Sequence, residues 1–161
     1  MADANLRFAS PPRDKSLRNE ASMKELDLKL CDIQGRLFEL SADNKYDSET
    51  FIKVFMKSDT AKALDSTYNR MQWAGEEYLL EEVISDNIGM IKDTIEVYSK
   101  DMLYWIGYLY RYWHYYTGEA SAKIYKQAPV KTMKRNYKMF HTMAPEIAIE
   151  DLKEIYNQKK H

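Results

Sequence analysis

Residues 91–116, IKDTIEVYSKDMLYWIGYLYRYWHYY, decide the fold of this chain. Apolar and aromatic side chains recur in them every three or four positions, the spacing that puts side chains on one face of an α-helix. These side chains are Ile91, Ile95, Tyr98, Met102, Trp105, Ile106, Leu109, Trp113 and Tyr116. The pattern predicts one long helix over residues 91–116, with Ser99 as a position where it could bend.

Amphipathic helices are predicted on both sides of this stretch as well. Ser48 and Ser58 fit the N-cap positions of two of them, and Pro129 suits the first turn of a third. Strand signals are weak, since glycine and proline are few and no Asn-Gly or Asp-Gly hairpin turn occurs. The chain is therefore predicted to be an all-α, compact helical bundle. The other predicted helical segments are residues 23–42, 48–56, 58–68, 76–84, 119–126, 129–141 and those from 145 onward.

The composition is that of a globular protein. Of the 161 residues, 45% are hydrophobic and 30% are charged, and the formal net charge is -1, so nothing demands a polyanionic partner. No apolar run approaches the roughly 20 residues of a membrane-spanning helix. Cys31 is the single cysteine, which precludes an intramolecular disulfide, and its apolar setting predicts a small core residue. These features favour a cytoplasmic protein that does not enter the membrane.

The first 22 residues differ from the rest of the chain. They contain the pair Pro11-Pro12, scattered charges and little periodic apolar content. Such composition is typical of segments that do not pack into a core. We expect residues 1–22 to form a flexible N-terminal arm, and the regular pattern that begins at Met23 leaves open whether the arm is native.

An internal repeat is the most informative feature of the sequence. An offset of 69 residues places Tyr68 on Tyr137 and keeps turn positions, a cap residue and an acidic pair in register. The matched pairs include Ser48 with Thr117, Gly75 with Ala144, Glu77 with Glu146, Leu80 with Ile149 and Glu81 with Glu150. The shared register predicts two diverged tandem copies of one helical unit.

Each copy would contain a long helix, a short helix, a tyrosine-bearing helix and an acidic terminal helix. A unit of about 65 residues buries too little apolar surface to be stable alone. Packing the two copies together would give a covalently linked pseudo-dimer. We place the first repeat at residues 23–88 and the second at residues 89–161, packed as one globular domain.

Short motifs in both copies resemble a known family. The first copy carries Tyr68, Met71-Gln72, Gly75-Glu76-Glu77-Tyr78 and Glu81-Glu82, and the second carries TGEASAKIY at residues 117–125, Tyr137, Phe140-His141-Thr142 and Ile149-Glu150-Asp151. They are similar to a family of short helical bacterial proteins of unknown function, whose members show a Tyr-x-x-Leu-His-Thr stretch before an acidic-apolar helix. The resemblance covers residues 47–85 and 101–156, and the first copy departs from it with Gln72-Trp73.

Members of this family are often encoded beside ADP-ribosyltransferase-like toxin genes, in toxin–antitoxin or phage-defence loci. The resemblance implies an accessory or antitoxin-like role for this chain, with a toxin from an adjacent gene as its protein partner. It supplies no catalytic residues. We therefore expect a non-catalytic protein-binding module that masks its partner.

The aromatic helix offers the candidate binding residues. Tyr104, Tyr108, Arg111 and Tyr115 fall on a different face from the apolar stripe. Tyrosine and arginine dominate binding hot spots, which favours this face as the partner-binding surface. The alternative is that the helix lies at the centre of the bundle and is buried on all sides, with its hydroxyl groups bonded internally.

A second possible function comes from the basic residues of the second copy. Lysines and one arginine cluster there beside Tyr125 and Tyr137, and basic residues with aromatic neighbours occur in proteins that bind nucleic acids. The cluster consists of Lys123, Lys126, Lys131, Lys134, Arg135 and Lys138. A nucleic-acid-binding regulator is therefore the alternative function.

Catalytic and metal-binding patterns are absent from the sequence. There is no Gly-rich phosphate loop, nucleophile elbow, Cys-x-x-Cys or His-Glu-x-x-His spacing. The acidic pairs are most simply solvated helix faces. We expect His141 to be half-buried, with its imidazole bonded to a backbone carbonyl at a helix end. The sequence thus predicts neither an enzyme nor a bound cofactor or metal.

Overall fold

A computed structural model describes residues 23–67, 69–93 and 95–160 of the chain, and the predicted arm at residues 1–22 lies outside them. The described residues are predominantly helical and form no β-strand, apart from an isolated bridge between Tyr46 and Asp93. The predicted all-α class is confirmed. The helices are α1 (Glu25–Asp43), α2 (Ser48–Met56), α3 (Asp59–Asp65), a 3-10 helix (Arg70–Trp73), α4 (Glu76–Asp86), α5 (Lys100–Thr117), α6 (Ser121–Gln127), α7 (Val130–Phe140) and α8 (Pro145–Lys160).

The prediction of one helix over residues 91–116 is wrong for residues 91–93 and 95–99, which are not helical. Helix α5 begins at Lys100, and Ser99 is its N-cap, with a hydroxyl that accepts from the backbone N–H of Met102 at 3.2 Å. The segment before it packs beside the start of α2, where Asp47 Oδ1 accepts the N–H of Glu96 at 2.9 Å. These side-chain acceptors satisfy backbone donors that a helix would otherwise pair internally.

The N-cap of α2 also differs from the prediction. Asp47 occupies that position and accepts from the N–H of Thr50 at 3.0 Å. Ser48 is the first helical residue, and its buried hydroxyl accepts from the N–H of Tyr98 at 2.9 Å. The second predicted cap is confirmed, because the Ser58 hydroxyl accepts from the N–H of Ala61 at the start of α3.

Helices α1 and α5 pack against each other in opposite directions and form the centre of the bundle. The end of α1 meets the start of α5 at an ion pair of 2.5 Å between Asp43 and Lys100. Further along, Gln34 Nε2 donates to the carbonyl of Gly107 at 3.0 Å. Two glycines, Gly35 and Gly107, allow this close approach, because a Cβ on Gly107 would lie 2.6 Å from the Gln34 carbonyl oxygen.

A single apolar cluster includes side chains from all eight α-helices. Phe38, Phe51 and Phe55 pack edge-on or stacked within it, with ring centroids 5.4–6.3 Å apart. Cys31 is 0% exposed, which confirms its predicted place in the core. Burial raises the pKa of the Cys31 thiol to about 12, so the thiol stays protonated and is a poor nucleophile.

The two halves of the described chain share an element order. In each, a long helix is followed by shorter helices and then by a terminal helix, and Glu76 and Pro145, which begin the two terminal helices, are 69 residues apart. Tyr68, which anchored the alignment, lies outside the described residues. The loop between α4 and α5 contains the predicted boundary near residue 88, and the duplication itself stays a prediction.

Glu119 links three helices near the end of α5. Its Oε1 accepts from Trp113 Nε1 at 2.8 Å, Lys153 Nζ at 2.9 Å and Gln127 Nε2 at 3.2 Å. Burial alone would raise the pKa of this carboxyl, but hydrogen bonds from Lys153, Trp113 and Gln127 outweigh it and lower the pKa to about 2. The folded chain therefore stabilises the charged carboxylate of Glu119 relative to its protonated form.

We expect the Glu119 cluster to make folding stability depend on pH. A carboxyl with a depressed pKa contributes stability that is complete above its unfolded pKa of about 4.3 and is lost as the pH falls towards its folded pKa. The contribution at pH 7 is on the order of 2 kcal/mol. Urea unfolding from pH 7 to pH 2.5 measures it, and the difference between wild type and Glu119→Gln should shrink over that interval. A difference that stays constant with pH would contradict the assignment.

Within the described part of the chain, none of the helices combines the length and the apolar character that crossing a membrane requires.

Candidate binding site

The four predicted binding residues do not form one exposed face. Tyr104 and Tyr108 line one groove, Tyr115 lines a separate cavity, and Arg111 is buried between α5 and its neighbours. A different set of side chains therefore defines the candidate sites.

The aromatic groove is the first of these sites. It has a volume of about 610 Å³ and lies where α5 meets the end of α1, the end of α7 and the start of α8. It is lined by Glu39, Asp101, Tyr104, Trp105, Tyr108, Leu109, Tyr137, His141, Met143 and Pro145. Aromatic rings make up half of this lining, and none of the lining residues is a lysine or an arginine.

The rings of the aromatic groove stand in two orientations. Trp105 and Tyr137 meet edge to face, with ring centroids 5.6 Å apart and planes at 64°. The His141 ring stacks on Tyr137 at 4.5 Å, and the rings of Tyr104 and Tyr108 lie 5.9 Å apart along α5. Because the planes of Trp105 and Tyr137 are inclined to each other at 64°, a ligand in the groove could contact one ring face and one ring edge together.

Hydrogen bonds at the ring ends fix parts of this wall. The Tyr104 hydroxyl donates to Asp32 Oδ1 at 2.5 Å, and burial together with this bond raises the pKa of Tyr104. His141 Nδ1–H donates to the Tyr137 carbonyl at 2.8 Å, at the C-terminal end of α7. The expected carbonyl bond of His141 is confirmed, but the residue is exposed rather than half-buried.

Two carboxylates give the aromatic groove its charge. Among the described residues, neither Glu39 nor Asp101 forms an ion pair or a side-chain hydrogen bond. Burial raises the pKa of Glu39, Lys100 opposes this effect, and the nearby charge of Asp101 raises the pKa further. The groove is therefore acidic.

The polar cavity is the second site. It has a volume of about 600 Å³ and lies between the start of α1, the end of α3 and the C-terminal part of α5. Trp73, which is 74% exposed, lines it, as do Lys24 and Arg70. The buried hydroxyl of Tyr115, another lining residue, has no hydrogen-bond partner within the described residues. A ligand that accepts a hydrogen bond could satisfy this group.

Arg111 lies beneath the polar cavity in a network of hydrogen bonds. Its Nη1 is 2.7 Å from Asp65 Oδ1, its Nε donates to Gln34 at 2.8 Å, and its Nη2 donates to Ser121 at 3.2 Å. The Arg111 side chain is 0% exposed, so it cannot contact a partner in this conformation. The burial of Arg111 agrees with the alternative prediction, in which the aromatic helix lies at the centre of the bundle. The three hydrogen bonds of Arg111 have no signal in the sequence, because its partners come from three separate segments.

The basic cluster of the second copy is only partly available. Tyr125 is buried, and Lys134 pairs with Glu96 at 2.8 Å, so neither is free to contact nucleic acid. Lys131, Arg135 and Lys138 are exposed on α7 at helical spacing and form no ion pair within the described residues. One exposed basic face therefore remains.

The side chains at these sites can bind a ligand. Aromatic faces, carboxylates and one unpaired hydroxyl can hold a ligand, and the described residues contain no group of three or more His, Cys, Asp or Glu positioned to hold a metal ion. Trp105 was predicted to belong to the core stripe, and its place in one groove with Glu39 and Tyr137 was not predicted. The spacing of Asp101, Tyr104, Trp105 and Tyr108 at i, i+3, i+4 and i+7 was the available signal.

Comparison with known proteins gives no relative: no protein-family model, no curated protein and no solved structure matches the chain.

Proposed function

We propose that this protein is a non-catalytic protein-binding module, an antitoxin-like or defence-locus accessory protein that binds a partner protein and masks it. The observation that carries the proposal is the aromatic groove, in which rings from α5 and α7 and the His141 ring line one open depression. Tyrosine and tryptophan are the residues enriched in binding hot spots.

The construction of the groove supports this function. Trp105 and Tyr137 hold each other in a fixed edge-to-face arrangement, and Tyr104 is held by Asp32. Side chains that are already ordered lose little conformational entropy when a partner binds. The lining is rigid and aromatic, as hot-spot clusters are, and it is open to solvent.

The resemblance of the sequence motifs to a toxin-associated bacterial family supplies the partner class. On this basis the partner is the toxin-like product of an adjacent gene in a bacterial cytoplasm.

We also propose that the chain arose by tandem duplication, since the element order repeats and the two terminal helices begin 69 residues apart. The central pairing of α1 with α5 would then be the interface of an ancestral homodimer.

Truncating Tyr137 should weaken the complex with the adjacent gene product. Hot-spot truncations cost about 2 kcal/mol or more, which is roughly a 30-fold rise in Kd. Isothermal titration of the purified partner into wild type and into Tyr137→Ala measures this change. The matched control is Tyr78→Ala on α4, a half-exposed tyrosine that does not line the groove. Equal weakening by both variants would contradict the proposal, as would the absence of any complex with wild type.

The exposed basic face of α7 favours a second candidate, a nucleic-acid-binding regulator of its own operon. Lys131, Arg135 and Lys138 could contact successive phosphates, and such binding weakens steeply as salt rises. A gel shift on the upstream DNA at several salt concentrations tests it. A shift that is lost in the triple alanine variant of these residues would support this candidate, and no salt-dependent shift for wild type would end it.

A further inference from the structure

We infer that the aromatic groove binds an arginine side chain of the partner protein, seated against Trp105 and Tyr137 and paired with the carboxylates of Glu39 and Asp101. This inference rests on the proposed function, since it names the chemistry by which the same groove would recognise the partner.

The rings attract cations. The face of an aromatic ring carries partial negative charge, and tryptophan attracts a cation most strongly, followed by tyrosine. Trp105 and Tyr137 meet at 64° in the groove, and Tyr104 and Tyr108 line the same depression. Rings inclined to each other at this angle can form two walls of a partial cage around a positively charged group.

The carboxylates of the groove lack the partners that neighbouring acids have. Asp32 pairs with Arg36 at 3.0 Å and Asp43 pairs with Lys100 at 2.5 Å on the same pair of helices. Glu39 and Asp101 lie among these pairs, yet within the described residues they have no ion pair. Neither acid is therefore ion-paired, the groove lining itself contains no lysine or arginine, and the charges of Lys100 and Arg36 near Glu39 only partly offset its own.

Arginine fits this combination better than lysine. Its guanidinium is planar, stacks on aromatic faces and gives up its hydration more readily than an ammonium does. Its fork of N–H donors can bond to a carboxylate with two parallel hydrogen bonds while the plane of the group lies on a ring. An anionic group would be repelled by Glu39 and Asp101, and a purely apolar side chain would leave both carboxylates without an ionic partner.

The test uses small probes and the full chain, so it does not depend on the partner. N-acetyl-arginine amide, N-acetyl-lysine amide and N-acetyl-norleucine amide are titrated separately, and two-dimensional NMR follows the indole N–H of Trp105, assigned with Trp105→Phe. We expect the arginine probe to bind with a Kd in the millimolar range, about fivefold or more tighter than the norleucine probe. Equal binding of the norleucine probe would overturn the inference, and tighter binding of the lysine probe would overturn the assignment to arginine.

Variants of the two carboxylates provide a second test. The double variant Glu39→Gln with Asp101→Asn removes the charge but keeps the shape, and it should weaken binding of the arginine probe about tenfold. The matched control is Asp59→Asn, whose side chain is 88% exposed on α3 and does not line the groove. Unchanged binding in the double variant, with its thermal midpoint equal to that of wild type, would overturn the inference.

The outcomes separate this inference from the function on which it rests. If Tyr137→Ala disrupts the partner complex but the arginine probe does not bind wild type, the groove is a protein-binding site and the arginine inference is overturned. If the probe binds through Glu39 and Asp101 but no partner complex forms, the arginine inference is supported and the proposed function fails.

Discussion

Replacing Asp65 with alanine should lower the free energy of unfolding by about 3–5 kcal/mol, the cost of leaving a buried charge without its partner. Asp65 Oδ1 is 2.7 Å from Arg111 Nη1, and the Arg111 side chain is 0% exposed. Asp65 also accepts from the backbone N–H and the hydroxyl of Ser121, each at 2.8 Å, so its loss leaves three donors unsatisfied. Urea unfolding followed by circular dichroism measures the change.

A second variant separates the lost charge pair from other damage at this position. The double variant Asp65→Ala with Arg111→Met removes both charges, and it should recover at least half of the lost stability, since an apolar pair is often no worse than a buried ion pair. The control is Asp59→Ala on the same helix, which is 88% exposed and should cost no more than about 1 kcal/mol. A double variant as unstable as Asp65→Ala, or a control that loses as much, would refute this account.

Replacing Gly107 with valine should be nearly as damaging, at about 3 kcal/mol. Forcing extra methyl groups into a packed interface costs about 1–3 kcal/mol, and the upper end applies here because part of the obstacle is backbone. A Cβ on Gly107 would lie 2.6 Å from the Gln34 carbonyl oxygen and 2.9 Å from the Phe38 ring. Phe38 could rotate, but the carbonyl of Gln34 moves only if α1 moves away from α5.

Thermal and urea unfolding of Gly107→Val test this expectation, and Ala122→Val serves as the control. Ala122 is an exposed helical position on α6, where valine costs only its lower helix propensity, less than about 0.7 kcal/mol. The hydrogen bond from Gln34 Nε2 to the Gly107 carbonyl gives a second readout, because separation of the helices would expose it. Hydrogen exchange at the crossing should therefore accelerate in Gly107→Val, and a variant as stable as wild type would show that the helices can move apart at little cost.

The local features of the fold could be predicted from the sequence because they depend on neighbouring residues. Helical periodicity located α1 and most of α5, and serine chemistry located the cap at Ser58. The apolar surroundings of Cys31 placed it in the core. In each case the deciding interaction lies within about four residues along the chain, which is the range that periodicity and capping describe.

The segment before α5, within residues 91–99, shows that interactions between neighbouring residues do not decide every part of the fold. Its apolar spacing continues the helical pattern of α5, and nothing local to it terminates a helix except Ser99. Asp47 and Ser48, about 50 residues earlier, accept the backbone N–H groups of Glu96 and Tyr98 and so hold residues 95–99 in a non-helical path. Tertiary hydrogen bonds thus outweigh a modest local preference for helix.

The stretch that begins with residue 91 determined by itself that the protein is helical, but it left open whether its aromatic helix is buried at the centre or presents a binding face. Only the tertiary structure decided what each side chain of that helix does. Arg111 was expected at a surface and is buried, because Asp65, Gln34 and Ser121 converge on it from three other helices. Trp105 was expected in the core and lines the aromatic groove, where its ring packs against that of Tyr137 from another helix. The spacing of side chains fixes the face of a helix on which each one lies, but the role of that face depends on partners distant in the sequence, which helical periodicity does not encode.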